Sequence, residues 1–214
     1  MFFSKFKLVG KIDFPDYRGI RILQMPFILG DIESIPDFLS HWVETFKSLF
    51  EISHIKSGIA YITIDEKLVK KGQTHRRKGL HVDGIYKGNA GCTFGGDGGG
   101  PFGTVGDGMY LVSSEIGCRA WNQSFNGWPG YEGECDHLMD ECKKENETIF
   151  QKNEVYWVDG LCVHESLPMK KDTFRQMVRL TMPNDNPWFE GFTLNPKGIK
   201  HTGKMMPRRI EFMD

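Results

Sequence analysis

The sequence predicts a mainly β fold supported by one N-terminal helix, and three observations carry that expectation. Gly58 to Ile64 and Thr173 to Met182 alternate in side-chain character with a period of two, as strands with one buried face do. Asp31 to Phe50 carries an apolar stripe at three-and-four spacing, the signature of an amphipathic helix. Between the two strands, ten glycines fall within residues 88 to 108, a density that suits a long loop rather than regular structure.

Taken in order, Arg18 to Leu29 reads as an extended segment flanking the core sheet, with Ile20, Ile22 and Leu23 apolar and Pro26 interrupting it. The helix follows, with Ile35, Phe38, Leu39, Trp42, Val43, Phe46, Leu49 and Phe50 on its stripe. Asp31 or Ser34 is placed to cap it, and Pro36 is tolerated in a first turn. Its expected role is to pack on the back of the sheet. In the strand from Gly58, Ile59, Tyr61 and Thr63 oppose Ala60, Ile62 and Ile64.

The basic run from Lys70 to Lys78 reads first as a solvated loop. If it borders a site, it favours an anionic substrate. It leads into Gly79-Leu80-His81-Val82-Asp83-Gly84. With residues 80 to 83 extended, His81 and Asp83 point to the same side.

The glycine-rich stretch lacks the Gly-Lys-Ser/Thr ending of a phosphate-binding loop. A lid over a site and a surface excursion both fit it. Gly108 to Ser114 and Cys118 to Gln123 follow as two strands, with Met109, Leu111, Arg119 and Trp121 as candidates for inward positions. Asn126 to Tyr131 is turn-rich and Cys135 to Lys144 a short helix, with Asp136, His137 and Asp140 at the surface. Cys135, His137 and Cys142 make a poor zinc site, since no CxxC pair accompanies them.

Thr148 to Val158 returns as a strand with a turn at Asn153, and leads to His164, 81 residues beyond Asp83. In Thr173 to Met182, Arg175, Met177, Arg179 and Thr181 share one face, while Gln176, Val178, Leu180 and Met182 share the other. From Pro183 the prolines and glycines describe an extended, basic tail. The whole reads as a single domain, with 1–56 as strand and helix support, 57–183 as the core and 184–214 as the tail.

His81, Asp83 and His164 form the two-histidine, one-carboxylate set that suits non-haem Fe(II) and leaves coordination positions open. Arg175 comes 11 residues after His164, room for a turn and a returning strand. A guanidinium buried there needs an anion, and its planar fork suits a carboxylate.

HxD, a long interval, His and then Arg about ten residues on resembles the Fe(II)- and 2-oxoglutarate-dependent dioxygenases. The run Arg175-x-x-x-Arg179-x-Thr181 is similar to the end of the taurine dioxygenase branch. The resemblance covers roughly residues 57 to 183. It implies a double-stranded β-helix (jelly-roll, cupin-like) core, with Fe(II) on His81, Asp83 and His164 and 2-oxoglutarate as cosubstrate. Arg175 would bind the far carboxylate of 2-oxoglutarate, with Arg179 facing the substrate. Arg179-Leu180-Thr181 is also similar to the R-x-S/T element of other branches, which makes Arg179 the second choice for 2-oxoglutarate. The implied reaction uses O2, most simply hydroxylates a small molecule or an exposed group of a larger substrate, and releases succinate and CO2. Desaturation, cyclisation and demethylation belong to the same chemistry. Two alternatives stay open: a cupin-like metal-dependent isomerase or dioxygenase that does not use 2-oxoglutarate, and a non-enzymatic β-barrel binding module.

Composition bounds the partners. A net charge of −1 over 214 residues gives no global pull towards nucleic acid or an anionic membrane. The apolar run at Met1 to Lys7 is too short for a signal peptide, and no stretch reaches the roughly 18 apolar residues of a membrane span. A cytoplasmic location is therefore expected. Five cysteines without regular spacing fit reduced thiols better than a disulfide framework.

Overall fold

Alternation along the chain becomes sheet structure over most of the protein, with 37% of residues in strands and 16% helical. The computed structural model describes residues 1–83, 86–87, 93–94, 108–130, 133–183 and 188–207. β1 (Phe2–Ser4), β2 (Phe6–Lys11) and β3 (Arg21–Ile28) precede the helix α1 (Val43–Ile52). β4 (Ile59–Val69), β5 (Tyr86–Lys87), β6 (Thr93–Phe94), β7 (Met109–Ser113), β8 (Cys118–Trp121) and β9 (Gln123–Phe125) follow. β10 (Glu147–Ile149), β11 (Glu154–Val158), β12 (His164–Ser166), β13 (Thr173–Thr181), β14 (Trp188–Phe189) and β15 (Met205–Met206) complete the set.

The largest sheet has the order β2-β11-β7-β13-β4-β3, every pair antiparallel. A three-stranded antiparallel sheet, β10-β8-β12, stands beside it. The period-two pattern sorts the side chains of the large sheet. Ile62 and Ile64 of β4, Tyr110 and Val112 of β7, and Val178 and Leu180 of β13 pack against Leu39, Trp42, Phe46 and Leu49 from the helical segment. On the other face, Met109 of β7 and Tyr156 and Val158 of β11 pack against Cys118 and Ala120 of β8. The short sheet therefore covers the inner face of the long one. The chain passes from β7 in one sheet to β8 in the other through Ser114 to Gly117.

The helical segment departs from the expected single helix. Pro36 is extended (ψ 147°), so Ile32–Ser34 and Asp37–Trp42 are 3₁₀ turns, and only Val43–Ile52 is α-helical. Asp31 caps the first turn, its carboxylate accepting from the Glu33 N–H at 3.0 Å. Phe38, expected on the apolar stripe, is half-exposed, because the 3₁₀ turns shift the phase of the stripe. Pro26 does not interrupt β3 either. It pairs with Tyr61 on the edge strand of the sheet, where a missing N–H is tolerated. The irregularity falls earlier, in the bulge between Ile22 and Met25, where Gln24 takes φ +44°.

The turn before β11 is at Asn153, with φ +63°. Beyond β13 the tail is tied to β3: Asn195 Nδ2 donates to the carbonyls of Pro26 and Ser34, and Trp188 Nε1 to that of Gln24. Of the stretch 88–108, read as a lid or a surface excursion, only Thr93–Phe94 and Gly108 are among the described residues, so that reading lies outside them. Among the described residues no helix is long and apolar enough to cross a membrane.

Candidate metal centre

The segment before Asp83 alternates as its sequence requires. Leu80 and Val82 are buried in a satellite core with Trp121, Phe125, Leu138 and Val163, which turns His81 and Asp83 the other way. His81 forms an antiparallel bridge with His164: its N–H donates to the His164 carbonyl at 2.9 Å, and the His164 N–H donates back at 3.0 Å. This reciprocal pair sets the two imidazoles side by side, with ring centroids 4.3 Å apart.

Each ring is oriented by its own main chain. His81 Nδ1 lies 2.8 Å from the Gly79 carbonyl and His164 Nδ1 lies 2.9 Å from that of Cys162. A carbonyl only accepts, so Nδ1 carries the proton in both rings and Nε2 presents its lone pair, as a metal-binding imidazole requires. Asp83 Oδ2 lies 3.5 Å from His164 Nε2 and 3.1 Å from Arg179 Nη1. One donor atom from each of His81, Asp83 and His164 lies within 4.8 Å of the others, so the buried group could bind a metal ion.

Electrostatics favour the ligand forms of two of the three. Burial, reinforced by His164, holds His81 down to about 3, so its ring is neutral at pH 7. Burial alone would raise Asp83, but His164, Arg179 and His81 hold it well below the usual carboxylate range. Ionised carboxylate and neutral imidazole are the protonation states that bind metal.

Both arginines are on the inner face of β13, yet they do different things. Arg179 pairs with Asp83. Arg175 lies four residues earlier, roughly 13 Å along the strand. It is buried (4% exposed), its Nε donates to Ser113 Oγ at 2.7 Å, and no carboxylate among the described residues forms an ion pair with it. Burial lowers Arg175 to about 10. Cys118 lies in the same interior: burial pushes its thiol up to about 12, with Arg175 opposing and Asp83 adding to the rise.

Other residues near the centre were harder to foresee. Asp136, expected as a surface residue, is exposed but accepts from the Leu80 N–H at 2.6 Å. A Cβ on Gly79 (φ +78°) would meet that carboxylate at 2.7 Å. A glycine just before HxD is the only trace of this contact in the sequence. His75, inside the basic run expected to be solvated, is 1% exposed, and its Nε2 lies 3.3 Å from Asp65 Oδ2. The signal was there in β4, whose inner-face alternation continues through Asp65 and Lys67. Cys135, His137 and Cys142 do not converge on a metal site: Cys135 Sγ meets the Gly133 carbonyl, while His137 Nε2 meets that of Trp128.

No family model matches the chain, and no curated protein or solved structure matches it.

Proposed function

We propose that the protein is an Fe(II)- and 2-oxoglutarate-dependent oxygenase on a double-stranded β-helix core. One observation carries the proposal: the converging His81, Asp83 and His164 share their interior with Arg175, a buried guanidinium that has no carboxylate partner among the described residues. The six-stranded sheet facing a shorter antiparallel sheet, with the candidate ligands on the short-sheet side, supports the β-helix reading.

Two imidazoles and one carboxylate fit Fe(II) with positions left for further ligands. Fe(II) held there with 2-oxoglutarate supplies O2 activation, coupled to decarboxylation of the keto acid to succinate and to oxidation, by default hydroxylation, of a substrate carbon. His81 and His164 bind through Nε2, each fixed by a backbone carbonyl, and Asp83 brings the negative charge. Arg175, positioned by Ser113, pairs with the far carboxylate of 2-oxoglutarate. Arg179, already committed to Asp83, faces the substrate. Met109 and Val158, buried between the sheets, exclude water from the interior. The substrate is a small molecule or an exposed group of a larger one. The cytoplasm suits the protein, since Cys118, Cys135, Cys142 and Cys162 are free thiols.

Anaerobic titration of the metal-free protein with Fe(II) and 2-oxoglutarate tests the proposal. A visible charge-transfer band, lost in His81→Ala and shifted to higher 2-oxoglutarate concentration in Arg175→Ala, is the expected result. Metal binding with no band and no 2-oxoglutarate affinity in the intact protein would overturn it and point to a cupin-like metalloenzyme. No metal binding at all would leave the binding module.

A further inference from the structure

Around Arg175, the described residues bring two cations, Arg175 and Lys67, to one end of the interior, and no carboxylate among them forms an ion pair with Arg175. Arg175 and Lys67 are directly opposed on β13 and β4 and point to the same inner face. Like charges in that relation repel, and neither side chain is freely solvated: Arg175 is buried and Lys67 is about one-third exposed. Arg76 lies on the same cluster. Among the described residues Lys67 pairs with Asp65, whose Oδ2 is shared among His75 Nε2 at 3.3 Å, Arg76 Nη1 at 3.4 Å and Lys67 Nζ at 4.0 Å. Glu115, at the rim, pairs instead with Lys152 at 3.5 Å.

Hydrogen bonding is unmatched as well. Asp65 Oδ1 and His75 Nδ1 are buried without a hydrogen-bond partner; a carboxylate only accepts, so these two atoms call for a donor such as water, and the anion is called for by the cations alone. The Arg175 guanidinium is meanwhile held in place. Ser113 fixes Nε, and Gly117 packs so closely that a Cβ there would lie 2.6 Å from Cζ. A charge fixed in position and lacking a counter-charge is a preformed anion site.

We propose that Lys67 and Arg175 form a two-cation clamp for one carboxylate group of a dicarboxylate ligand, with Asp65 and His75 positioning Lys67. As applied to 2-oxoglutarate this rests on the oxygenase reading, and it makes Lys67 a specificity determinant: keto acids with a far carboxylate are selected over those without one. The clamp belongs to the protein and does not require a metal.

The test uses the full chain freed of metal by chelation and succinate as the probe, by calorimetric titration. Wild type binds succinate; Lys67→Gln and Arg175→Gln each weaken it by about tenfold or more, the loss of one charged hydrogen bond. Lys67→Arg, which keeps the charge, restores most of the affinity. With Mn(II) present, Lys67→Gln weakens 2-oxoglutarate but leaves 2-oxobutyrate, which has no far carboxylate, unchanged. Succinate binding that is absent in wild type, or unaltered in Lys67→Gln, overturns the clamp. An equal loss for both keto acids also overturns it, because the effect would then be general. Lys67-dependent succinate binding without any metal–keto-acid complex would keep the clamp and sink the oxygenase reading instead.

Discussion

His81 and His164 are suited to bind metal because the carbonyls of Gly79 and Cys162 fix their tautomers. In each case the fixing carbonyl lies two residues before the histidine, so the backbone conformation of those two residues aims the ring. At Gly79 that conformation is left-handed (φ +78°), and the space where a Cβ would go is taken by the Asp136 carboxylate. Gly79→Ala is therefore expected to cost about 1–3 kcal/mol of stability and to weaken metal binding as the ring turns away. Urea unfolding and a Co(II) titration read the two effects separately. Unchanged Co(II) affinity with reduced stability would mean that the turn supports the fold without aiming His81.

At the scale of elements, β13 connects the two ends of the interior. Its alternation puts Arg175 and Arg179 on one face and Val178 and Leu180 in the core beneath the helix. That face assignment was legible from the sequence, because a long strand with one buried face can satisfy its apolar residues in only one phase. HxD and the distant histidine were legible for the same reason: two ligands at a spacing of two need only an extended backbone. The separate tasks of the two arginines were not legible, since these depend on Ser113 of the neighbouring strand and on Asp83, which no spacing along the chain reveals. The helix was legible in its apolar stripe but not in its boundaries, because Pro36 breaks the hydrogen-bond ladder without breaking the pattern. Two predictions follow from these contacts. Gly117 carries no positive φ, so Gly117→Ala keeps the backbone and instead displaces the Arg175 guanidinium; on the proposed oxygenase reading, 2-oxoglutarate affinity falls while metal affinity holds, as parallel titrations would show. Phe46→Ala, fully buried beneath the sheet, costs about 3–5 kcal/mol, whereas Phe38→Ala, half-exposed, costs far less. Equal losses in chemical denaturation would return Phe38 to the core.

For the whole molecule, the buried charges make stability depend on pH in a definite sense. Burial holds His75 down to about 4, with Asp65 opposing and Arg175 adding to the fall. A histidine whose folded pKa is depressed binds its proton more readily when unfolded. Its contribution is complete above the unfolded value of roughly 6.5 and is lost as pH falls towards 4, a difference on the order of 3 kcal/mol. Asp65 acts in the next window down. Burial would raise it, but His75, Arg76 and Lys67 hold it far below the usual range, so its contribution is present above roughly pH 4 and is lost as pH falls further. The metal-free protein should therefore lose stability continuously from neutral to acid pH. His81, held at about 3, acts in the same sense and is common to wild type and variants. His75→Gln removes one titrating group, so its urea-unfolding free energy falls less steeply than that of wild type between pH 6.5 and 4, and in parallel with it above 7. Identical slopes for His75→Gln and wild type between pH 6.5 and 4 would mean that His75 is charged in the folded protein. Asp65 and His75 would then form a true ion pair, leaving less of the Asp65 charge to offset Lys67.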